Sequence, residues 1–207
     1  MYLGCQFSLY PMTDRFIEVI LDGLTAIRAA GDRLRVETDD ISTLLVGAPE
    51  ALFPALQACF VRAASHRGHL VMNLSLSRGC PGEPDDPICR SPALREAAQP
   101  AGPGRIEAAL ARQTPVPPTG IATAAQIALY PLGRPDYMAD IADCIGYLKR
   151  AKISLSPKHF CTRLDGDAAD VFQTIETSFL GFAGHDDHVV LTAVLSKGSP
   201  SASIRAA

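Results

Sequence analysis

The chain lacks a long apolar run and a recognisable targeting segment. Its apolar stretches all fall well short of the roughly 20 residues that a membrane-spanning helix requires. Residues 1–10 do not show a basic region followed by a long apolar core, so a signal peptide is not expected. Together these absences predict a cytoplasmic protein.

The chain also lacks a concentrated basic stretch. Its 19 Lys and Arg residues are outnumbered by 22 Asp and Glu residues, which gives a formal net charge of −3. Because nucleic-acid binding depends on clustered positive charge that neutralises phosphates, a nucleic acid is not expected as a partner. Glycine-rich phosphate-binding loops are missing from the sequence as well.

Paired cysteines are the third absence. The six cysteines are scattered without a Cys-x-x-Cys motif, which is poor spacing for a zinc site, and disulfides are rare in the cytoplasm. Most of them are expected to be small core residues: Cys5, Cys59, Cys80, Cys89, Cys144 and Cys161.

What the sequence does contain is an internal repeat. Gln-Phe-Ser-Leu-Tyr-Pro-Met at 6–12 corresponds to Gln-Ile-Ala-Leu-Tyr-Pro-Leu at 126–132, and residues 41–47 correspond to 160–166. The offset between matching positions stays between 119 and 121 along the whole repeat. Self-similarity at a nearly constant offset indicates one structural unit written twice.

The repeat predicts the domain organisation. Residues 1–81 form the first unit and residues 120–207 the second, separated by a proline-rich linker at 82–119. Near Ile106–Arg112 the linker could form one helical turn. Its length is unusual for a compact connection, so we expect it either to wrap across the surface or to be partly mobile.

Each unit has the local pattern of an α+β fold. Thr13 or Asp14 can cap a first helix, and Pro49 suits the first turn of a second helix. The first unit is predicted to contain strands at 4–10, 33–37, 41–46 and 69–77, with helical spacing of apolar residues at 16–27 and 52–60. The order βαββαβ predicts tandem ferredoxin-like domains, in which two helices cover one face of a four-stranded antiparallel sheet. We expect four aromatic side chains between helices and sheet: Phe53, Phe60, Phe172 and Phe179.

The other face of each sheet is left open, and strand alternation predicts which side chains lie there. In the first strand Phe7 and Leu9 suit the covered face, which places Gln6, Ser8 and Tyr10 on the open face. A solvated face would also be polar, and that interpretation stays possible. However, these short or amide-bearing side chains differ from the Lys, Glu and Arg mixture of an ordinary solvated surface.

The same alternation extends the candidate ligand site to neighbouring strands. A carboxamide offers a donor and an acceptor in one plane, which matches a flat nitrogen heterocycle. Tyrosine adds a ring surface, and aspartate can accept from an amino group or attract a cation. The further candidates are Asp40, Ser42, Thr43 and Asn73 in the first copy, and Gln126, Tyr130, His159, Thr162 and Asp165 in the second.

Two histidine pairs and one cysteine are candidates for a metal site and for a catalytic nucleophile. The His-x-x-His pairs at 66–69 and 185–188 lack further ligands at motif spacing, so we expect helix-end capping and no metal. His159 and Asp165 flank Cys161, but alternate residues of one strand point the same way and do not form the hydrogen-bonded triad that activates a nucleophile. No catalytic residues and no cofactor are therefore expected.

At these positions the sequence resembles the YkoF family of thiamine- and hydroxymethylpyrimidine-binding proteins. The likeness spans nearly the whole chain except the linker. It is carried by 7–14, 38–43, 71–73 and 79–82 in the first copy, and by 128–131, 135–138 and 164–172 in the second.

This resemblance implies a homodimer of tandem ferredoxin-like domains, each with one thiamine-type site. It also implies non-catalytic binding in the uptake or salvage of thiamine precursors, beside a membrane transporter. The open alternative is a ferredoxin-like enzyme or an ACT-like regulatory module for a small polar metabolite. Since the second copy has His159 for Asp40 and Arg163 for Leu44, we expect the two sites to bind unequally.

Overall fold

A computed structural model describes residues 3–80, 103–133, 135–183 and 187–205. Its strands are β1 Leu3–Met12, β2 Leu34–Thr38, β3 Thr43–Gly47, β4 His69–Arg78, β5 Ala122–Leu132, β6 Ser154–Pro157, β7 Thr162–Asp167 and β8 His188–Lys197. Its α-helices are α1 Phe16–Arg28, α2 Pro49–Ser65, α3 Pro103–Arg112, α4 Tyr137–Leu148 and α5 Ala168–Gly181. Short 3₁₀ helices lie at Gly31–Arg33 and Pro200–Arg205.

The strands form one continuous antiparallel sheet in the order β2-β3-β1-β4-β8-β5-β7-β6. Each half has the strand order of a ferredoxin-like unit, with the first strand of the unit between its third and fourth strands. The predicted tandem α+β fold is therefore confirmed. The two units share a sheet because β4 pairs along its length with β8, which removes one exposed edge from each unit.

An approximate two-fold axis relates the two units at this junction. Leu74 of β4 lies opposite Ala193 of β8, and these residues occupy equivalent places in the two copies. The same symmetry appears between the helices on the covered face. Phe53 packs near Phe179 with ring centroids 6.3 Å apart, and Phe60 packs near Phe172 at 5.6 Å. All four rings are buried, as predicted from the sequence.

The junction is further held by Arg78 and Gly79 at the end of β4. Arg78 is buried and donates to the carbonyl oxygens of Phe179 and Phe182, at 3.3 and 2.9 Å. Its guanidinium lies 5.9 Å from the ring centroid of Phe179. Gly79 has a φ of +68° and lies close to the backbone of Asp187. The first unit thereby binds the carboxyl end of α5 in the second unit.

Local sequence explains two element boundaries. The second helix begins at Pro49 as predicted. Proline lacks a backbone N–H, and in the first turn of a helix that group would have no partner within the helix. The expected capping of α1 by Thr13 or Asp14 is wrong, since Arg15 occupies the N-cap position without a side-chain cap. Thr13 instead accepts a hydrogen bond from the backbone nitrogen of Arg15 at 3.3 Å.

Helix α3 lies within the linker and is longer than the single turn expected there. It packs against both α4 and α5. Arg105 of α3 forms a buried ion pair with Asp140 of α4, and Ala109 is fully buried. Gly146 accommodates this helix, because a Cβ atom there would lie 2.9 Å from Ile106. This part of the linker is therefore built into the second unit.

No helix in the described ranges is both long enough and apolar enough to cross a bilayer.

Candidate functional site

The predicted site residues fall into two places in the fold. The first is the open face of the sheet, which carries or adjoins Gln6, Ser8, Ser42, Asn73, Gln126 and Asp165. Ser8 lies opposite Asn73, which lies opposite Val194, which in turn lies opposite Gln126. A polar row thus crosses from one unit to the other, interrupted only by Val194.

Within the first unit, the open-face residues already bond to one another. Gln6 donates from Nε2 to Ser42 Oγ at 2.8 Å, and Ser8 donates to the carbonyl oxygen of Ile41 at 2.8 Å. These bonds tie β1 to the turn that precedes β3. Because the face is flat and the groups are engaged, it offers a ligand less enclosure than a cleft would.

The third-strand residues lie differently from the sequence expectation. Asp40 and His159 were expected on the open face of the third strand, but β3 begins at Thr43 and β7 at Thr162, so both lie in the preceding turns. In the first unit the Asp39 carboxylate explains this boundary. It accepts from the backbone nitrogens of Ile41 and Ser42, at 2.8 and 2.7 Å, and these bonds hold the pKa of Asp39 below its usual value.

The two threonines lie on the helix-covered side of the sheet. Thr43 is only 5% exposed and shares a hydrogen bond with Thr38 at 3.1 Å, so it faces away from Gln6. Thr162 lies opposite Ile127 on the same covered side. The equivalence of the two threonines thus extends to their orientation.

On the open face of the second unit, Arg163 is paired with Asp165. Arg163 Nε donates to one carboxylate oxygen at 2.8 Å and a terminal nitrogen donates to the other at 2.5 Å. This bidentate bond raises the pKa of the Arg163 guanidinium. The charges that replace Leu44 and Val46 of the first unit therefore neutralise each other.

The second place is a gap beside the overhanging ends of the first strands. Pairing between β1 and β3 ends at Phe7 and Thr43, and pairing between β5 and β7 ends at Ile127 and Thr162. Each first strand continues five residues beyond that point, to Met12 or Leu132. Alternate backbone groups of the overhang therefore have no strand partner on that side.

In the second unit this gap opens into a pocket of about 420 Å³ under α4. Its walls come from β5, α4 and the turn before β7. The lining residues are Ile127, Ala128, Leu129, Tyr130, Ile141, Cys144, Ile145, Leu148, Lys149, Leu155, Pro157, Lys158, His159, Phe160, Cys161 and Thr162. Three sequence-predicted site residues, Tyr130, His159 and Thr162, are brought together here.

The pocket has an apolar interior and a polar mouth. Burial raises the pKa of the Cys144 thiol to about 12, which is consistent with a desolvated interior. At the mouth Phe160 is 93% exposed, an unusual position for a large aromatic side chain. Its ring centroid lies 6.3 Å from that of His159. An apolar cleft of this size with a few polar groups is typical of small-molecule sites.

The first unit carries different residues at two positions of this gap. Phe7 stands where the second unit has Ile127, and it is buried at 3% exposure. The first unit's turn carries Ile41 in place of Phe160. Ile41 is likewise exposed, so both turns place an apolar side chain beside the overhang.

A separate polar recess of about 870 Å³ lies near the other end of β7. It is bordered by Arg163, Asp165 and Asp167, together with serines after β8. Burial would raise the pKa of Asp167, but hydrogen bonds from Thr119, Gly120 and Ala169 outweigh it and lower the pKa. The Asp167 carboxylate thus caps α5 and also binds the segment before β5 through Thr119 and Gly120.

The histidine pairs serve the junction between units. His69 bonds through Nε2 to Ser196 at 2.9 Å, and the equivalent His188 bonds to Ser77 at 3.4 Å. His66 follows α2 as its C-cap and contacts Asp22 at 3.0 Å, whereas His185 lies outside the described residues. His66 therefore occupies the C-cap position of a helix, as expected, whereas His69 begins β4. Among the described side chains, no cluster of three or more His, Cys, Asp or Glu residues could hold a metal ion.

Sequence reasoning missed most of the pocket. The walls provided by Ile141 and Ile145 have the helical spacing of ordinary core residues, and nothing in that spacing marks a cavity. Phe160 lies in the turn before β7, although its counterpart Ile41 is predicted to begin a strand. The one available signal was Phe160, an aromatic residue inside a polar turn that matches Ile41 in the other copy.

Comparison with known proteins identifies the family of the chain. The family model described as "YKOF-related Family" matches residues 2–83 and 122–202, which are the two repeats. The chain belongs to the YkoF-related family. It is 35% identical over 198 residues to the "Putative HMP/thiamine-binding protein YkoF" of Bacillus subtilis strain 168, covering 96% of this chain and 91% of that protein. The match spans both repeats, so it concerns the whole architecture.

Proposed function

We propose that the protein binds hydroxymethylpyrimidine or thiamine and does not convert them. In this proposal the second repeat holds the aminopyrimidine ring in the pocket under α4. The observation that carries the proposal is this apolar cleft, which lies beside an unpaired strand edge in a chain of the YkoF-related family. The name of the Bacillus subtilis relative, which refers to HMP and thiamine, supports the ligand class.

The chemistry of the pocket suits a flat aminopyrimidine. Ile127 on the sheet and Ile145 on α4 provide apolar walls for a ring, and exposed Phe160 can stack at the mouth. Polar edges of the ring need hydrogen-bonding partners once water is excluded. The unpaired backbone of the β5 overhang can supply them, with Tyr130 and Thr162 beside it.

Several features support binding without catalysis. The pocket thiol of Cys144 has its pKa raised to about 12 by burial, which keeps it protonated and a poor nucleophile. Asp165 is engaged by Arg163 on the opposite face of the sheet from Thr162, so it cannot serve a pocket residue as a base. Cys161 and His159 also line the pocket, but none of the described lining residues is a carboxylate that could orient His159 as a base.

The proposed cellular role is uptake or salvage of the pyrimidine half of thiamine in the cytoplasm, linked to a membrane transporter. We also propose that the chain forms a homodimer. Exposed apolar side chains on α1 and α4, among them Phe16, Ile17 and Met138, provide surface that a second copy can cover.

Thermal-shift and calorimetric titrations test the proposed function. Hydroxymethylpyrimidine and thiamine should raise the melting temperature in proportion to the logarithm of their concentration, whereas amino acids should not. Methyl NMR signals of Ile127, Ile141 and Ile145 should shift during the same titration. Stabilisation by amino acids alone, without methyl shifts, would favour a regulatory module instead.

A further inference from the structure

The turn at the mouth of the pocket under α4 differs in charge from its counterpart in the first repeat, whereas Lys149 of α4 has a cationic counterpart in Arg28. Lys149, Lys158 and His159 line its mouth. In the corresponding turn of the first repeat, Asp39 and Asp40 stand in place of Lys158 and His159. The two repeats therefore keep one backbone frame and carry opposite charge on the same turn.

This positive charge is not neutralised locally. None of the described lining residues is Asp or Glu. Within the described part of the chain, Lys149, Lys158 and His159 have no carboxylate within the 4.0 Å ion-pair distance. Because apolar walls focus the field of charges around a cleft, these groups act on whatever lies at the mouth.

The pocket's depth and its charge act on different parts of a ligand. Ile127 and Ile145 face the interior, so an uncharged ring belongs there. A substituent that projects past Phe160 reaches the two lysines and His159. A negative substituent gains attraction at this position, and a positive one meets like charge.

We propose that the second repeat's pocket selects a flat aromatic ligand that carries a phosphate monoester over its neutral or cationic relatives. This inference rests on the proposed function for the ring and adds the charge of the preferred ligand. A phosphate monoester of hydroxymethylpyrimidine fits the description. Thiamine, whose thiazolium ring is cationic, is the weakest of the three ligands here.

The test compares hydroxymethylpyrimidine, its phosphate monoester and thiamine in separate titrations of the full chain. Binding to this pocket is followed by the methyl signals of Ile127, Ile141 and Ile145. The phosphate should bind at least about tenfold more tightly than the neutral compound at low ionic strength. The preference should shrink as salt screens the exposed lysines.

Matched variants separate rim charge from overall charge. Lys158→Glu should remove most of the preference for the phosphate, measured as the ratio of the phosphate and neutral affinities within the same variant. Lys152→Glu changes the net charge equally at an exposed position outside the pocket, and it should have little effect. Replacing Lys158 and His159 together by Asp copies the first repeat and should make thiamine the preferred ligand.

The outcomes distinguish the two proposals. If the neutral compound shifts the methyl signals but the phosphate binds no more tightly, the inference about charge is overturned and the proposed function stands. An equal loss in Lys158→Glu and Lys152→Glu also overturns it. If none of the three compounds shifts these methyl signals, the pocket is not the ring site and both proposals fail.

Discussion

The two repeats have the same strand order, but the layer of helices above them differs. In the first repeat α1 packs directly along α2, and Asp22 pairs with Arg62 of α2 at 2.5 Å. In the second repeat α3 lies against α4 and α5, and the equivalent Asp143 lies 3.8 Å from Arg105 of α3. In the second repeat the linker helix α3 thus supplies the arginine that α2 supplies in the first repeat.

This difference accompanies the difference between the pockets. Val19 of α1 is a buried apolar residue, whereas its counterpart Asp140 of α4 is buried in an ion pair with Arg105. Helix α4 is therefore anchored from the side of α3, and the space on its sheet side borders a pocket. Duplicated units can keep their sheet nearly unchanged while the surrounding helices and turns diverge toward separate tasks.

The largest expected effect comes from breaking the α3 anchor. Arg105→Ala should lower the free energy of unfolding by about 3–5 kcal/mol, because it leaves the buried Asp140 carboxylate without its main cation. Arg62→Ala in the first repeat removes an exposed ion pair and should cost about 1 kcal/mol or less. Urea denaturation of both variants checks the comparison.

A double variant sharpens this prediction. Arg105→Leu combined with Asp140→Val copies the apolar character of the first repeat. It should be markedly more stable than either single change, since no charge is left buried alone. A double variant as unstable as the sum of its parts would contradict the assignment of an ion pair.

The next largest effect concerns the glycines at the junction. A Cβ atom on Gly79 would lie 2.3 Å from the carbonyl oxygen of Asp187, and on Gly198 it would lie 2.9 Å from that of Gly68. Gly79→Ala should cost about 3 kcal/mol, through the left-handed φ and the clash together. Gly198→Ala should cost less than Gly79→Ala.

Gly31 is the control for these glycines. It also has a positive φ of +57°, but a Cβ atom there would meet nothing within 4 Å. Gly31→Ala should therefore cost only the backbone strain, about 1 kcal/mol. Equal losses at Gly31 and Gly79 in thermal unfolding would show that the close junction contact does not exist.

A smaller effect is expected from the helix caps, which differ between repeats. Asp167 caps α5 through the backbone nitrogen of Ala169 at 2.8 Å and also holds Thr119, whereas Ala48 at the start of α2 has no side-chain cap. Asp167→Ala should cost about 1–2 kcal/mol, and Ala48→Asp should add about 0.5–1 kcal/mol. Chemical denaturation at neutral pH measures both.

The contribution of Asp167 should also depend on pH. Its pKa is lower in the folded state than in the unfolded state, so its stabilisation is fully present above the unfolded value. It is lost as the pH falls through the folded value. The stability difference between wild type and Asp167→Ala should therefore shrink in acid. A difference that stays constant from neutral pH to pH 2 would contradict this role.

The four-stranded half of the sheet in each unit, both pairs of covering helices and the buried aromatic residues could be predicted from the sequence. These features depend on periodicity and on the repeat, and both are visible in the order of residues along the chain. Gln6, Ser8 and Tyr10 alternate with Phe7 and Leu9 as strand geometry requires. The ferredoxin-like order then placed β1 between β3 and β4 without reference to any coordinates.

The pocket and the junction could not be predicted in the same way. A cavity is a mismatch in volume between distant residues, and helical spacing makes Ile145 look like any core residue. The repeat predicts His159 on the open face as the counterpart of Asp40, but both residues lie in turns that hydrogen bonding of the folded chain defines. The pairing of β4 with β8 depends on both units together, and no pattern within one unit contains it.

The central claim is that the second repeat holds its ligand under α4 and not on the open sheet face. Ile127→Phe introduces the residue that the first repeat has, and it should place its larger side chain in the pocket that Ile127 lines. Val194→Phe adds similar bulk beside Gln126 on the open face, where Val194 is 42% exposed. In calorimetric titrations with hydroxymethylpyrimidine, Ile127→Phe should lose one class of binding site and Val194→Phe should retain it. Loss of that class in Val194→Phe, with normal binding by Ile127→Phe, would place the site on the open face and contradict the account.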